Sequence, residues 1–177
     1  MIRHCPDHYI ESSAGESLAA TEALVTYIRS FPPSPNIFNT ATREYTKDPL
    51  VQPIITPRFA ISCTSQLLAS LGKLAAADHT LRIQTHISEN PKEVALTKEL
   101  FPDSKNYACV YDDHGLLREN TILAHAVHLD VAEMELIAKR KAGVSHCPTS
   151  NFHLSSGVAS VGEYLDRGIK VNLAHYR

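Results

Sequence analysis

The chain has 177 residues, of which 44% are hydrophobic and 20% are charged, and its formal net charge is −2. This length suffices for one globular core, and the near-neutral charge gives no electrostatic reason to expect nucleic acid or an anionic membrane as a partner. No apolar run approaches the roughly 18 to 20 residues that a membrane-spanning helix needs. We therefore expect a single domain over residues 1–177 without a membrane span.

The four cysteines, at positions 5, 63, 109 and 147, lie far apart and none has C-x-x-C spacing. Segment 1–13 lacks the apolar core of a secretory signal. Dispersed thiols without a signal suit a reducing compartment, so we expect a cytoplasmic protein.

The first half of the chain predicts a helix, a long loop, a strand and a second helix. Ser13 and Glu16 have the spacing of a capping box, which predicts a helix that ends at the first prolines. The proline-rich segment 31–49 predicts a surface loop. A short β-branched strand follows around residues 54–56, and Thr64 then caps a helix with a clear apolar stripe.

The second half alternates between strands and helices. Asn90 caps one helix, with Glu93 as the residue whose side chain returns to the cap, Asp130 caps the next, and a third covers residues 157–167. The predicted strands lie at 81–86, 121–127, 143–148 and 169–174. With the strand near residue 55 these make five strands separated by helices, which predicts βα units and a parallel sheet.

A closed (β/α)8 barrel needs roughly 200 to 250 residues, so this α/β chain is either an open sheet or part of a barrel. In both architectures the working residues lie at the carboxyl ends of the strands. The residues at these ends are Arg58 and Phe59, His86 and Glu89, His125, segment 146–151, and segment 174–176. For one histidine a capping or packing role is the more common one, but three titratable groups after successive strands favour a functional site.

The chemistry of these side chains points to metal-assisted hydrolysis. His86 as a neutral imidazole is a good zinc ligand, and zinc lowers the pKa of a bound water to roughly 7. Glu89 could move a proton from that water to the substrate, and His125 could hydrogen-bond and orient the hydroxide. The spacing His-x-x-Glu is a weak signal by itself and differs from the helical H-E-x-x-H of zinc proteases.

A cysteine nucleophile is the alternative at the fourth strand, where Cys147 follows His146. Adjacent strand residues point to opposite faces, so this pair cannot readily touch, and we expect Cys147 to be a small buried hydrophobe. His128, where the strand gives way to the next helix cap, is expected not to bind metal.

Four segments together resemble the guanine deaminases of the amidohydrolase superfamily, and its eukaryotic, fungal members in particular. They are ITPRF at 55–59, QTHISEN at 84–90, LAHAVHL at 123–129 and HCPTSN at 146–151. The resemblance extends from about residue 4 to residue 173. It implies a partial (β/α)8 TIM barrel, roughly barrel strands four to eight with their helices, and therefore an incomplete catalytic domain.

The resemblance also implies a reaction, which is the hydrolysis of guanine to xanthine and ammonia in purine catabolism. By match, His86 is a metal ligand, Glu89 is the proton shuttle, and both contact the substrate, while His125 contacts the attacking hydroxide. Arg58 and Phe59 hold the purine. One Zn²⁺ per complete site, guanine as the partner and a homodimer of the complete enzyme are further implications.

Physical chemistry supports guanine as the base. Arginine offers only donors, in a planar fork, and guanine presents two adjacent acceptors where adenine presents a donor. The H-x-E and P-C-x-x-C motifs of the zinc nucleic-acid deaminases do not occur in this sequence, which argues against a base-flipping editor.

Two features depart from the family. The H-x-H pair that supplies two metal ligands does not occur in the sequence, and Tyr176 stands where the family has an aspartate ligand. A phenol with a pKa near 10 is a poor substitute, so we expect the chain by itself to be inactive. Two alternatives stay open: another amidohydrolase, acting on an aromatic amine or a chlorinated heterocycle, and a non-catalytic fragment or partner of a full-length subunit.

Overall fold

The computed structural model describes residues 10–32, 37–39, 44–46 and 51–174. The helices are α1 (Ala14–Arg29), α2 (Ser65–Ala77), α3 (Pro91–Leu100), α4 (Tyr107–Asp113), α5 (Val131–Arg140), α6 (Pro148–His153) and α7 (Val161–Asp166), with a 3-10 turn at Ala60–Ser62. The strands are β1 (Ile37–Asn39), β2 (Glu44–Thr46), β3 (Ile54–Ile55), β4 (Arg82–Ile87), β5 (Thr121–His125), β6 (Gly143–His146) and β7 (Lys170–Leu173).

Strands β3 to β7 form one parallel sheet in the order in which they occur along the chain. Consecutive order with a helix in each crossover is what successive βα units produce. The predicted α/β class and parallel sheet are therefore confirmed. Because all five strands run in the same direction, their carboxyl ends lie at one edge, and the predicted site residues lie at or just after those ends.

The side-chain caps predicted from the sequence are present, but the capping box predicted for Ser13 and Glu16 is not reciprocal, because the Glu16 carboxylate accepts from the Ser12 hydroxyl. The side chains of Ser13, Thr64, Asn90 and Asp130 each accept a hydrogen bond from the backbone N–H three residues further on, at 3.1, 3.2, 3.0 and 2.7 Å. Such caps satisfy a backbone donor that the helix leaves unpaired. They fix where α1, α2, α3 and α5 begin. Because α2, α3 and α5 come after strands, their caps also set the length of the connection from the preceding strand.

The sequence predicted a loop over segment 31–49, but the segment also contains two strands. Strands β1 and β2 pair antiparallel within it, with Ile37 opposite Thr46 and Asn39 opposite Glu44. The prolines near the two ends of the segment indicated a loop, but its two strands are rich in β-branched and aromatic residues, which favour extended backbone. The prediction was therefore wrong for these six residues.

Two helices were missed and one is shorter than predicted. Helix α4 begins after Asn106, whose side chain accepts from the Cys109 N–H at 3.0 Å, and α6 begins at Pro148. The predicted helix over 157–167 covers only Val161–Asp166. Gly157 has a φ of +120°, outside the range of a right-handed helix, so the helix cannot extend back to residue 157.

One face of the sheet is buried and the other is more open. Along β4, Ile83, Thr85 and Ile87 are buried, while Arg82 and Gln84 are exposed and His86 is half-buried. The side-chain alternation of a strand places these two sets on opposite faces. His86 thus lies on the open face, near the carboxyl edge.

No helix in the described part of the chain combines the length and apolar character needed to cross a membrane.

Candidate active site at the carboxyl ends of the strands

The five predicted site residues lie together in the structure. The ring of Phe59 stacks on that of His86, with centroids 4.2 Å apart, and His86 stacks on His125 at 5.2 Å. The Arg58 guanidinium carbon lies 5.3 Å from the centre of the Phe59 ring, and Glu89 Oε1 lies 3.6 Å from His125 Nδ1. Three rings in near-parallel planes, with a cation at one end and a carboxylate at the other, form the candidate site.

His86 is held by the backbone of Arg58. Its Nδ1 lies 2.7 Å from the Arg58 carbonyl oxygen, and because a carbonyl can only accept, Nδ1 carries the proton. Its backbone N–H donates to the same oxygen at 3.1 Å. Burial lowers the pKa of His86 below its usual value. The imidazole is therefore neutral near pH 7, and its Nε2 has a lone pair for a metal or a donor.

Glu89 is 8% exposed and is positioned by a second carboxylate. Its backbone N–H donates to Glu93 Oε2 at 2.9 Å, and the Tyr107 hydroxyl donates to Glu93 Oε1 at 2.6 Å. Burial raises the pKa of Glu93. The sequence had assigned Glu93 as the return partner of the Asn90 cap. This is incorrect, because the carboxylate bonds the residue before the cap and thereby holds the backbone of Glu89.

His125 lies where the chain leaves β5 in an unusual conformation. His125 and the following Ala126 have φ values of +71° and +52°, a left-handed region that costs roughly 1 kcal/mol or more for a non-glycine residue. The N–H groups of Val127 and His128 both donate to the Ser88 carbonyl oxygen, at 3.1 and 3.0 Å. These bonds fix the turn, so that His125 stays beside Glu89, which lies just after the neighbouring strand β4.

Tyr111 is a contact residue of the site that sequence reasoning missed. Its fully buried hydroxyl donates to the His86 carbonyl oxygen at 2.7 Å and accepts from the Ala60 N–H at 3.0 Å and the Thr85 hydroxyl at 2.9 Å. Burial raises the pKa of Tyr111. This one hydroxyl ties the segment that bears Phe59 to the strand that bears His86. No local sequence pattern signals it, because the partners lie 25 to 51 positions away.

The remaining strand ends contribute less. Cys147 is buried and its thiol donates to the Ser145 carbonyl oxygen at 3.3 Å, consistent with a packing role. His128 Nε2 lies 2.7 Å from the Ser156 carbonyl oxygen. A cavity of about 280 Å³ opens beside His86 on the open face of the sheet. The positions of His175 and Tyr176 lie outside the described residues.

A complete metal site is not formed by the described residues. Within residues 10–32 and 51–174, no group of three or more histidine, cysteine, aspartate or glutamate side chains could hold a metal ion. Zinc sites use three or four protein ligands. The described residues therefore fit one ligand position, His86 Nε2, but not a whole metal centre.

Comparison with known proteins identifies the family. The sequence profile of the amidohydrolase family matches residues 28–174. A probable guanine deaminase of Schizosaccharomyces pombe is 53% identical over 168 residues, 95% of this chain and 29% of that protein. A guanine deaminase of Dictyostelium discoideum is 43% identical over 173 residues, 98% of this chain and 35% of that protein. The chain thus spans about a third of the length of these relatives.

Solved structures of guanine deaminases have the same fold as this chain. A crystal structure of guanine deaminase from C. acetobutylicum with bound guanine superposes with a TM-score of 0.83 at 38% identity, covering 98% of this chain and 38% of that one. The guanine deaminase of E. coli gives a TM-score of 0.84 at 28% identity, covering 98% and 36%. The five-stranded sheet and its helices are therefore part of an amidohydrolase TIM barrel, as the resemblance implied. The chain belongs to the amidohydrolase family.

Proposed function

We propose that this chain provides the purine-binding and proton-transfer part of a guanine deaminase site, which converts guanine and water to xanthine and ammonia in purine catabolism. The observation that supports this most directly is the stack of Phe59, His86 and His125, with Arg58 at one end and Glu89 at the other. A flat stack with a donor fork and a carboxylate suits a planar base that is to be protonated. The similarity to guanine deaminases over nearly the whole chain supports the same choice.

Arg58 and Phe59 are assigned to substrate binding. The guanidinium lies 5.3 Å from the Phe59 ring centre, so the donor fork and the aromatic ring are close enough for both to contact one planar base. Two adjacent acceptors on guanine, O6 and N7, match two N–H donors of arginine. Adenine has an amino donor in place of O6, so an arginine N–H would face another N–H group and could not form a hydrogen bond there. This contact selects guanine over adenine.

Glu89 is assigned to proton transfer and His125 to orienting the water. In the reaction the water oxygen bonds to the ring carbon that bears the amino group, and the bond from that carbon to the amino nitrogen then breaks. The water gives up both of its protons: one goes to the ring nitrogen beside that carbon, and the other goes to the amino nitrogen, which leaves as ammonia. Glu89 carries these protons from the water to the substrate. Glu89 is largely buried beside His125, and a carboxylate shielded from solvent keeps the proton within the site.

His86 is assigned as one metal ligand, and zinc is the proposed metal. Its Nδ1–H bond to the Arg58 carbonyl is the kind of outer contact that orients ligating histidines. Bound zinc would lower the pKa of a water molecule and polarise the substrate. The other ligands must come from outside the described residues. A contact of His86 with the substrate is a further implication of the family resemblance.

The cellular setting is also a proposal. Among the described residues, Cys109 and Cys147 are not in disulfides, which suits a reducing cytoplasm. A homodimer of the complete enzyme stays a prediction from the family resemblance.

One alternative has an observation in its favour. The lack of a three-ligand group among the described residues favours a chain that is inactive alone and works only as part of a larger assembly. The likeness to triazine hydrolase, at 22% identity and a TM-score of 0.79, concerns the fold alone.

A graft tests the proposed function. The matching segment of the Dictyostelium guanine deaminase is replaced by residues 10–174 of this chain, and guanine loss and ammonia release are measured with the parent protein as reference. We expect turnover of guanine and none of adenine, and we expect the guanine turnover to be abolished by Phe59→Ala and Arg58→Ala together. A folded graft that binds metal as the parent does but leaves guanine unchanged would refute the proposal.

A further inference from the structure

A buried amide contacts the histidine at the end of β5. Asn151 Oδ1 lies 2.7 Å from His125 Nδ1, and Glu89 Oε1 lies 3.6 Å from the same nitrogen. Asn151 is 1% exposed and His125 is 5% exposed. Sequence reasoning placed Asn151 among the residues after the fourth predicted strand but gave it no role.

The two oxygens determine which ring nitrogen of His125 bears the proton. A neutral imidazole has one donor and one acceptor nitrogen. An unprotonated Nδ1 would turn its lone pair toward the carboxylate oxygen of Glu89, which cannot donate when ionised. A protonated Nδ1 donates to Asn151 Oδ1 and faces Glu89 favourably. The proton therefore belongs on Nδ1, and Nε2 is the acceptor of the ring.

Asn151 is fixed by its own backbone. Its N–H donates to the Cys147 carbonyl oxygen at 2.9 Å within α6, and its carbonyl accepts from the Ser156 N–H at 2.8 Å. The side-chain nitrogen Nδ2 is buried and has no hydrogen-bond partner among the described residues. A buried N–H without a partner destabilises a folded chain, and an apolar residue of the same size would avoid that cost. The contribution specific to asparagine is thus the oxygen that contacts His125.

We propose that Asn151 is a positioning residue that holds His125 as the Nδ1–H tautomer. This leaves Nε2 free to accept a hydrogen bond from the water that attacks the substrate. The statement about the attacking water rests on the proposed function. The statement about the tautomer does not, since it follows from contacts within this chain.

Nitrogen NMR of the 177-residue chain with ¹⁵N-labelled histidine tests the inference without metal or substrate. The two nitrogens of a neutral imidazole give different ¹⁵N shifts according to which is protonated, and His125→Gln identifies the signals of His125 by their loss. We expect His125 to be predominantly Nδ1–H. His128 is the internal control, because its Nε2 faces the Ser156 carbonyl oxygen and it should show the opposite tautomer in every variant.

Two substitutions separate the oxygen from the packing. Asn151→Leu keeps the size and removes the acceptor, and the ratio of Nδ1–H to Nε2–H at His125 should fall about fivefold, the change that corresponds to one hydrogen bond of about 1 kcal/mol. Asn151→Asp keeps an acceptor and should keep the tautomer. It also tests the inference if Asn151→Leu does not fold.

Three results would overturn the proposal. They are an Nε2–H His125 in the unsubstituted chain, a ratio that changes less than twofold in a folded Asn151→Leu chain, and an Nε2–H His125 in Asn151→Asp. None of these depends on guanine turnover, so failure here leaves the graft experiment to decide the proposed function.

Discussion

Replacing Tyr111 by phenylalanine removes one hydroxyl from the centre of the buried contacts around the site and leaves the ring in place. The Ala60 N–H loses its acceptor, and the His86 carbonyl loses its donor. The Thr85 hydroxyl lies 3.4 Å from the same carbonyl and can partly replace that donor, but it also loses its own bond to Tyr111. A buried polar group left unpaired costs about 1 to 3 kcal/mol. We therefore expect Tyr111→Phe to lower the free energy of unfolding by about 2 to 4 kcal/mol.

Urea unfolding of the 177-residue chain, followed by far-UV circular dichroism, measures this loss. Tyr164→Phe is the matched control, because Tyr164 is 1% exposed and its hydroxyl donates to one partner, the Ala126 carbonyl oxygen. It should cost about 1 kcal/mol. Tyr27→Phe, at a residue 62% exposed, should change the free energy of unfolding by less than about 0.5 kcal/mol.

The comparison between Tyr111→Phe and Tyr164→Phe tests whether three hydrogen-bond contacts of one hydroxyl stabilise the fold more than one contact does. Equal losses for Tyr111→Phe and Tyr164→Phe would show that the three contacts of the Tyr111 hydroxyl add nothing beyond a single bond. In the graft, Tyr111→Phe should also raise the KM for guanine, because the hydroxyl couples the Phe59 segment to the His86 strand. An unchanged KM would refute that coupling even if the stability loss is as expected.

Four further outcomes are expected. In the graft, Arg58→Lys should raise the KM for guanine strongly, because a lysine cannot pair with two acceptors at once. Glu89→Gln should keep the metal content of the graft and lower kcat by about 10² to 10⁴-fold, the usual contribution of a general acid–base group. The 177-residue chain alone should bind less than one zinc ion and release no ammonia from guanine. Burial raises the folded-state pKa of Glu93 above its unfolded value near 4.5, so stability falls as the pH rises through that folded pKa. Tyr107→Phe removes a hydrogen bond that opposes this shift, so its destabilisation, about 1 to 2 kcal/mol, should be larger at pH 8 than at pH 4.

Each of these has a result that would contradict it. Unchanged kcat/KM in Arg58→Lys would remove Arg58 from the purine contact. Loss of metal together with activity in Glu89→Gln would make Glu89 a ligand instead of a proton carrier. About one zinc per isolated chain with measurable turnover would mean that another chain, or residues outside the described range, completes the site. A pH-independent loss in Tyr107→Phe would show that its hydroxyl does not favour the ionised form of Glu93.

The parts of the fold that the sequence predicted well are those with local causes. The caps at Thr64, Asn90 and Asp130 are formed by a side chain and a backbone group three residues apart, so the sequence contains both partners. Helix α4 was missed although Asn106 caps it in the same way. Its seven residues include two tyrosines and two aspartates, which are poor helix formers. Their helical state depends on packing that a local pattern does not contain.

The candidate site shows the same difference between features that a local pattern can predict and features that depend on packing. The proximity of His86, Glu89 and His125 could be predicted, because parallel strands bring their ends to one edge and each of these residues lies at or just after the end of a strand. The contacts that hold these residues in place could not be predicted from the sequence. Asn151 lies 26 positions from His125 and Tyr111 lies 51 from Ala60, and only the packed sheet and helices set those distances.

The two outermost strands of the parallel sheet differ in how open they are to another molecule. In the described part of the chain, β3 pairs with β4 and β7 pairs with β6. An outer strand offers unpaired backbone groups that can template aggregation, and short strands, prolines and lysines protect against it. Strand β3 has two residues between Pro53 and Pro57, whereas β7 has four residues and a single lysine, Lys170. Aggregation of the chain through this sheet would therefore begin at β7, and a second lysine placed there should improve its solubility.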